Sequence, residues 1–180
     1  MKAMIIPGNG NTPITNNWNL YVKSELEKLS VEVIAENMPD ADLAREKFWI
    51  PFMEQKMGKD ENVILIGHSS GAVAIMRFLE NHKILGTVLV GACYTDLAEE
   101  KEKISGYYNR PWNWEKIKEN AGWIIQFAST DDPYISKEEF RHINNMLETE
   151  YHEYKNRGHF DEIEFPELVF CLRMKLGDFI

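Results

Sequence analysis

Short apolar runs alternate with longer amphipathic segments along the whole chain. The runs have the length of strands, and several consist of uninterrupted Val, Ile and Leu, which is typical of strands covered on both faces. The six candidate strands occupy residues 3–6, 31–35, 63–66, 87–90, 123–128 and 151–154.

The segments between these runs have helical periodicity. From Trp18 onward, apolar residues recur at i, i+4, i+8 and i+11, which places them on one face of a first helix. Pro51 is expected to break the second helix, because a proline in a helix interior removes a hydrogen bond. Pro111 and Pro166 lie where a first helical turn begins. These further helices are predicted over residues 40–57, 69–81, 111–120, 136–148 and 166–176.

The near-strict alternation of strands and helices indicates a three-layer α/β domain with a parallel sheet and helices on both faces. Right-handed crossovers place the loops that follow each strand along one edge of the sheet, where such folds carry their chemistry. No linker rich in Pro, Gly or Ser divides the chain. We therefore expect a single domain over residues 1–180.

The strongest chemical signal directly follows the third run. Gly67-His68-Ser69-Ser70-Gly71 matches the pattern G-x-S-x-G of a nucleophile elbow, which is a sharp turn from a strand into a helix. In such a turn the glycines avoid a clash of a β-carbon with nearby backbone. The Ser69 hydroxyl is then exposed at the sheet edge, and the Ser70 N–H points towards a developing oxyanion. The alternative is a helix N-terminus with a serine cap and packing glycines.

A nucleophilic serine needs a base, and behind an elbow of this kind the histidine comes last in the chain. Five histidines are present; His142 falls within a predicted helix and His152 within a candidate strand. His159 lies in the polar loop 156–160, after the last candidate strand. We predict that His159 is the base, with a solvated loop histidine as the alternative.

The carboxylate that orients the base should follow the fifth run, at residues 129–133. Asp132 is preferred because the proline after it restricts it to an extended conformation. Asp131 can instead cap the turn by bonding nearby backbone. Asp161 is a weaker rival, and an acidic turn without a catalytic role is the alternative for the pair.

A second oxyanion donor is expected from the loop after the first strand. Residues 7–11, Pro-Gly-Asn-Gly-Asn, form a tight loop that can offer the Asn9 N–H to an oxyanion. A plain Gly/Asn turn is the alternative. The loop fails as a dinucleotide-binding fingerprint, because G-x-G-x-x-G requires glycine where Pro13 stands.

Residues 93–109, between the fourth run and the helix predicted at Pro111, are the expected lid. The segment is short, so we expect a shallow, lightly covered cleft. Tyr94, Tyr107 and Tyr108 are candidates for its lining. The nearby Trp112 and Trp114 are equally compatible with plain packing.

Charge and composition exclude several function classes. The chain has 20 Lys and Arg residues against 29 Asp and Glu, a net charge of −9, whereas nucleic-acid binding needs a basic face. The densest charge cluster, residues 99–103, is mixed in sign and is interpreted as a solvated helix or loop. Nucleic acid is therefore not an expected partner.

The two cysteines, Cys93 and Cys171, lie far apart and neither belongs to a C-x-x-C pair. The sequence therefore predicts no metal site and no disulfide framework. No segment approaches the roughly 18 apolar residues of a membrane span, and the apolar run at the N-terminus is too short for a signal peptide. We expect a reduced, soluble, cytoplasmic protein with no membrane partner.

These motifs together resemble those of the α/β-hydrolase superfamily and, more narrowly, of the small serine hydrolases typified by retinoblastoma-binding protein 9. The resemblance implies about six parallel strands, a triad of Ser69, Asp132 and His159, and no cofactor. It does not imply retinoblastoma-protein binding, which is associated with L-x-C-x-E, because both cysteines lack the flanking Leu and Glu. The matching blocks, in the same order over nearly the whole chain, are residues 7–10, 37–40, 67–72, 105–108, 110–114, 129–133 and 158–160.

The sequence thus predicts a serine hydrolase that cleaves a small ester or amide, aminoacyl compounds included, through an acyl-enzyme intermediate. A protein-binding module that keeps the fold without turnover is the alternative, although such a module has no chemical need for all three triad residues. A nucleotide-binding protein is a third hypothesis, already weakened by Pro13. The oligomeric state is not predicted.

Overall fold

The computed structural model describes residues 1–177, and within that range it contains six strands and seven helices. The strands are β1 (Lys2–Ile6), β2 (Glu32–Ala35), β3 (Val63–His68), β4 (Gly86–Val90), β5 (Ile124–Ser129) and β6 (Glu150–Tyr154). The helices are α1 (Asn19–Glu27), α2 (Glu46–Met57), α3 (Ser70–Leu79), α4 (Glu100–Ser105), α5 (Trp114–Asn120), α6 (Lys137–Leu147) and α7 (Pro166–Leu176). All six candidate strands are therefore present, within one or two residues of the predicted bounds.

The strands form one parallel sheet in the order β2-β1-β3-β4-β5-β6. The chain first moves outward from β1 to β2 and then returns to place β3 on the other side of β1. Ile6 pairs with Gly67 in the register of β1 and β3, so the loops after these two strands leave the sheet side by side. In open parallel sheets, ligand crevices form where the strand order reverses in this way.

Each face of the sheet is covered by its own group of helices. Along β1, Met4 and Ile6 face the side that carries α2, α3, α5 and α6, whereas Ala3 and Ile5 face α1 and α7. Strands β3 to β5 are buried throughout because both of their faces are covered. The longest helix in residues 1–177 has 12 residues, and no helix in that range is long and apolar enough to cross a membrane.

The prediction that Pro51 breaks the second helix is wrong. Helix α2 runs through Pro51 without interruption. The exposed proline removes one backbone hydrogen bond, while Trp49, Met53 and Met57, spaced four residues apart, bury one continuous face of the helix. Burial of that face outweighs the single lost bond.

Two helices begin later in the chain than predicted. Residues 40–45 are not helical, because the Asp40 carboxylate accepts from the backbone N–H of Arg45 and also pairs with its guanidinium. Pro111 lies before α5 rather than in its first turn. The helix begins at Trp114 because the Asn113 side chain caps it, accepting from the N–H of Lys116 at 3.2 Å.

Candidate active site

Ser69 occupies a strained backbone conformation between β3 and α3. Its φ is 55° and its ψ is −122°, a backbone conformation that residues other than glycine rarely adopt. The Ser69 N–H donates to the carbonyl of Val90 at 2.8 Å, which fixes the turn against the end of β4. The chain therefore turns sharply at Ser69, which lies at the carboxyl edge of the sheet.

Two glycines make this turn possible by allowing close backbone approach. A β-carbon at Gly67 would lie 2.5 Å from the backbone nitrogen of Ala72, and one at Gly71 would collide with the carbonyl oxygen of Ile6. Helix α3 therefore approaches the end of β1 more closely than any larger residue would permit. The alternative in which Ser69 caps the helix is excluded, because its side chain makes no capping hydrogen bond.

Asp132 and His159 form a buried pair close to this turn. His159 Nδ1 lies 2.7 Å from Asp132 Oδ2, the carboxylate side chain is fully buried, and the imidazole is 10% exposed. Asp132 Oδ1 accepts from the backbone N–H groups of Tyr134 and Ile135 at 2.9 and 3.0 Å. Both carboxylate oxygens are thus occupied, which fixes the direction in which Oδ2 faces the imidazole.

The rival carboxylates occupy other positions. Asp131 Oδ1 accepts from the Ser129 hydroxyl at 2.6 Å and from the Gly158 N–H at 3.0 Å, so it fastens the turn to the loop that carries His159. The Ser129 hydrogen bond is the main reason that the pKa of Asp131 is lowered. Asp161 lines the cleft and accepts from the Asn17 side chain at 3.3 Å. The His159 imidazole pairs with Asp132 and with neither of these rivals.

His68, inside the elbow, supports His159 through its backbone. His68 Nε2 lies 2.7 Å from the carbonyl oxygen of His159 and the two rings are 4.9 Å apart. Burial lowers the pKa of His68 to about 3, and repulsion from a charged His159 adds to the shift. His68 is therefore neutral at physiological pH and donates from Nε2. The chain order of serine, acid and histidine excludes His68 as the base, because it precedes Ser69, although its place within the elbow is a usable signal for a supporting role.

Two backbone N–H groups are free at the cleft. Within residues 1–177, neither the Asn9 N–H nor the Ser70 N–H finds an acceptor. Both residues line the same cleft as Ser69. A buried or half-buried donor without a partner is uncommon in folded proteins, and a pair of such donors beside a serine provides what an oxyanion needs.

The cleft has a volume of about 530 Å³. Ser69 and His159 both line it, although no hydrogen bond joins their side chains in the part of the chain described. Other lining residues include Gly8, Cys93, Leu97, Lys101, Glu102, Pro133, Tyr134 and Ile135. A cavity of this size suits a small molecule.

The tyrosines and tryptophans predicted near the lid do not line the cleft. Tyr107 is fully buried in the core, and Trp112 and Trp114 stack on one another with ring centroids 5.6 Å apart. His142 is not among the residues that line the cleft, and its ring stacks on Tyr94 with centroids 3.9 Å apart. Tyr134 does line the cleft, and its ring meets that of His159 edge-on with centroids 5.0 Å apart.

The interpretation of residues 99–103 as a solvated charge cluster is wrong at one position. Helix α4 forms there, and the Glu102 carboxylate turns inward to accept from the Asn9 side chain at 2.8 Å and from the Tyr108 hydroxyl at 3.2 Å. Burial raises the pKa of Glu102. Sequence alone gave no sign of this inward turn, because its neighbours in the cluster are exposed charges of both signs.

One group of potential metal ligands lies outside the cleft. Glu150, His152 and Cys171 bring one ligand atom each to within 4.8 Å of the others. The second oxygen of Glu150 lies 2.8 Å from the Lys175 ammonium, and His152 Nε2 lies 3.2 Å from the first. The cluster is thus already paired as an ion-pair network on β6 and α7.

A parallel sheet of this strand order between two layers of helices, with a serine on a sharp turn after β3, is the fold of an α/β hydrolase. The crystal structure of the ydeN gene product of B. subtilis superposes with a TM-score of 0.87 at 24% identity and covers 98% of both chains. The expected fold class is confirmed.

The family follows from sequence. A model described as serine hydrolase matches residues 3–164. Serine hydrolase RBBP9 of Rattus norvegicus is 45% identical over 177 residues, covering 97% of this chain and 95% of the relative. Putative hydrolase YdeN of Bacillus subtilis (strain 168) is 26% identical over 154 residues, covering 83% and 81%. The chain belongs to the serine hydrolase family and is an enzyme of that class.

Proposed function

We propose that the enzyme cleaves a small ester or amide by transferring its acyl group to Ser69. His159 acts as the general base and Asp132 orients it. The observation that carries the proposal is the 2.7 Å contact of His159 Nδ1 with buried Asp132, at the cleft that also exposes Ser69. The aspartate, the histidine and the strained serine then have the roles of a nucleophilic triad.

The position of the proton follows from this contact. A carboxylate can only accept, so Nδ1 carries the imidazole proton and Nε2 keeps its lone pair. In the proposed reaction Nε2 takes the Ser69 proton as Oγ attacks the substrate carbonyl, and returns it to the leaving alcohol or amine. Water, deprotonated in turn by Nε2, then attacks the acyl-enzyme; as the bond from the acyl carbon to Ser69 Oγ breaks, Nε2 returns this proton to Oγ and the acid leaves.

The negative charge that develops on the carbonyl oxygen needs donors that are already in place. The free N–H groups of Ser70 and Asn9 are proposed for this task. The Ser70 N–H also begins α3, so the helix dipole adds to the stabilisation of an anion there. Loss of one donor of this kind typically costs about 3–4 kcal/mol in the transition state.

A fluorophosphonate probe tests the proposal, because it labels only a serine activated by an assembled base. We expect label on the Ser69 peptide by mass spectrometry, none in Ser69→Ala, and a sharp reduction in His159→Ala. His142→Ala is the matched control and should label like the parent, since His142 packs on Tyr94 and does not line the cleft. Folded protein without label at Ser69 would overturn the proposal and favour the binding module.

A further inference from the structure

Glu102 joins two segments that are 93 residues apart. Its Oε1 accepts from Asn9 Nδ2 at 2.8 Å, and its Oε2 accepts from the Tyr108 hydroxyl at 3.2 Å. Among residues 1–177, this is the one side-chain hydrogen bond between α4 and the loop after β1 that holds Asn9. A half-buried carboxylate is costly unless its oxygens are paired, so the contact is a specific tie rather than a surface ion pair.

The segment that carries α4 is anchored at both ends. Before the helix, the Glu139 carboxylate accepts from the backbone N–H groups of Tyr94 and Thr95 at 2.8 and 3.1 Å. After the helix, the buried Arg77 guanidinium donates to the backbone carbonyls of Tyr107, Arg110 and Pro111. Helix α4 is thus held by the rest of the fold, and the Glu102 carboxylate offers Asn9 an acceptor in a fixed position.

The loop that receives the tie is hydrogen-bonded to the segment before α2. The N–H groups of Gly10 and Asn11 donate to the carbonyls of Asp42 and Ala41, both at 3.1 Å. The carbonyl of Asn9 accepts from Thr12, which leaves the Asn9 N–H as the free group. Within residues 1–177, the contact with Glu102 is the one hydrogen bond that the Asn9 side chain makes, so its loss would free the side chain of the residue that carries this N–H.

We propose that Glu102 is a positioning residue, which holds the Asn9 N–H in the oxyanion hole by binding the Asn9 side chain. Helix α4 and the oxyanion hole would then form one structural unit. The inference rests on the proposed function and adds to it a residue that does not touch the substrate's reacting atoms.

The first test compares three single variants by steady-state hydrolysis of p-nitrophenyl acetate. Glu102→Ala removes the tie, and we expect kcat to fall by about 10- to 100-fold with KM little changed, since misplacing a transition-state donor affects kcat. Glu102→Gln keeps an acceptor for Asn9 and should restore most of kcat. Glu100→Ala, an exposed glutamate on the same helix, is the matched control and should behave as the parent.

Each opposite result overturns the proposal. Parental kcat in Glu102→Ala would mean that the tie is not needed, and an equal loss in Glu102→Gln would mean that charge matters rather than the hydrogen bond. Should Glu102→Ala fold poorly, Asn9→Ala removes the same bond from the other end while keeping the backbone N–H.

A double-mutant cycle completes the test. Because both variants break one bond, Asn9→Ala and Glu102→Ala together should lower kcat no more than either alone. Additive losses would overturn the proposal. Failure here is distinguishable from failure of the proposed function, because it would leave the parent's Ser69 labelling and turnover intact.

Discussion

The two walls of the cleft are held in place in different ways. One wall, residues 129–135 and 156–160, carries the proposed acid–base pair and is called the acid–base wall; there Asp132 is held by the N–H groups of Tyr134 and Ile135 and by His159, 27 residues on. The other wall, residues 8–12 and α4, carries the proposed oxyanion donor Asn9 and is called the oxyanion wall; there the hydrogen bond of Asn9 with Glu102 spans 93 residues. One wall is built from adjacent strand ends, the other from a distant helix.

The two walls therefore differ in how rigidly they are held. Residues that follow β3, β5 and β6 are brought together by the sheet itself, so their geometry is as rigid as the strands. The oxyanion wall depends instead on one carboxylate and on the anchors of a short helix. Substitutions on the first wall should therefore affect the reaction most, and substitutions behind the second should affect stability or the placement of a single donor.

The largest effect is expected on the acid–base wall. In Asp132→Asn the amide would donate to Nδ1 and force the imidazole into the tautomer that cannot accept the Ser69 proton. We expect kcat to fall by about four orders of magnitude, as in serine protease triads. Asp131→Asn is the matched control: it keeps the oxygen that binds Gly158 and should change kcat little. If Asp131→Asn were the damaging change, the assignment of the acid would be wrong.

The next largest effect is expected on stability, at Arg77, which anchors the segment behind the oxyanion wall. Arg77→Met would leave three backbone carbonyls without their donor and remove one partner of Glu80, in a site where the Arg77 side chain has no exposure. We expect a loss of about 3–5 kcal/mol in the free energy of unfolding, measured with urea. Arg110→Met removes an exposed partner of Glu46 and should cost less than about 1 kcal/mol. Equal losses in the two variants would contradict this account.

The smallest effect concerns His68 and pH. Since burial holds its folded pKa near 3 against an ordinary 6.5, the unfolded chain binds a proton that the folded chain refuses between these values. Stability contributed by His68 is thus lost as pH falls below about 6.5, by about 2 kcal/mol between pH 7 and pH 5. Urea unfolding at both pH values should show this component in the parent but not in His68→Gln. A pH dependence identical in both proteins would exclude it.

Sequence periodicity predicted the sheet because its signals are local. The apolar runs and the positions of Gly and Pro predicted all six strands. The elbow pattern predicted Ser69 between a strand and a helix, as observed. Asp132 and His159 could be selected because each follows a strand whose end had been predicted. Their observed contact agrees with that choice, while their roles remain part of the proposal.

The errors arose where long-range packing overrides local preference. Pro51 lies within a helix because the buried face of α2 compensates for its missing N–H. Glu102 sits in a sequence of exposed charges and turns inward because Asn9 and Tyr108 offer donors from elsewhere in the chain. The donors that pair with such a residue cannot be identified from spacing along one segment.

The backbone angles of Ser69 bear on why this position is a serine. Glycine would adopt a φ of 55° with a ψ of −122° freely, whereas any other residue there costs about 1–3 kcal/mol of strain, a noticeable share of a typical domain's 5–15 kcal/mol. A chain under selection for folding and binding alone would gain thermal tolerance by losing this side chain. The Ser69 side chain therefore stands at a position where it weakens the fold, and such a trade-off between stability and activity is typical of a residue that acts in turnover.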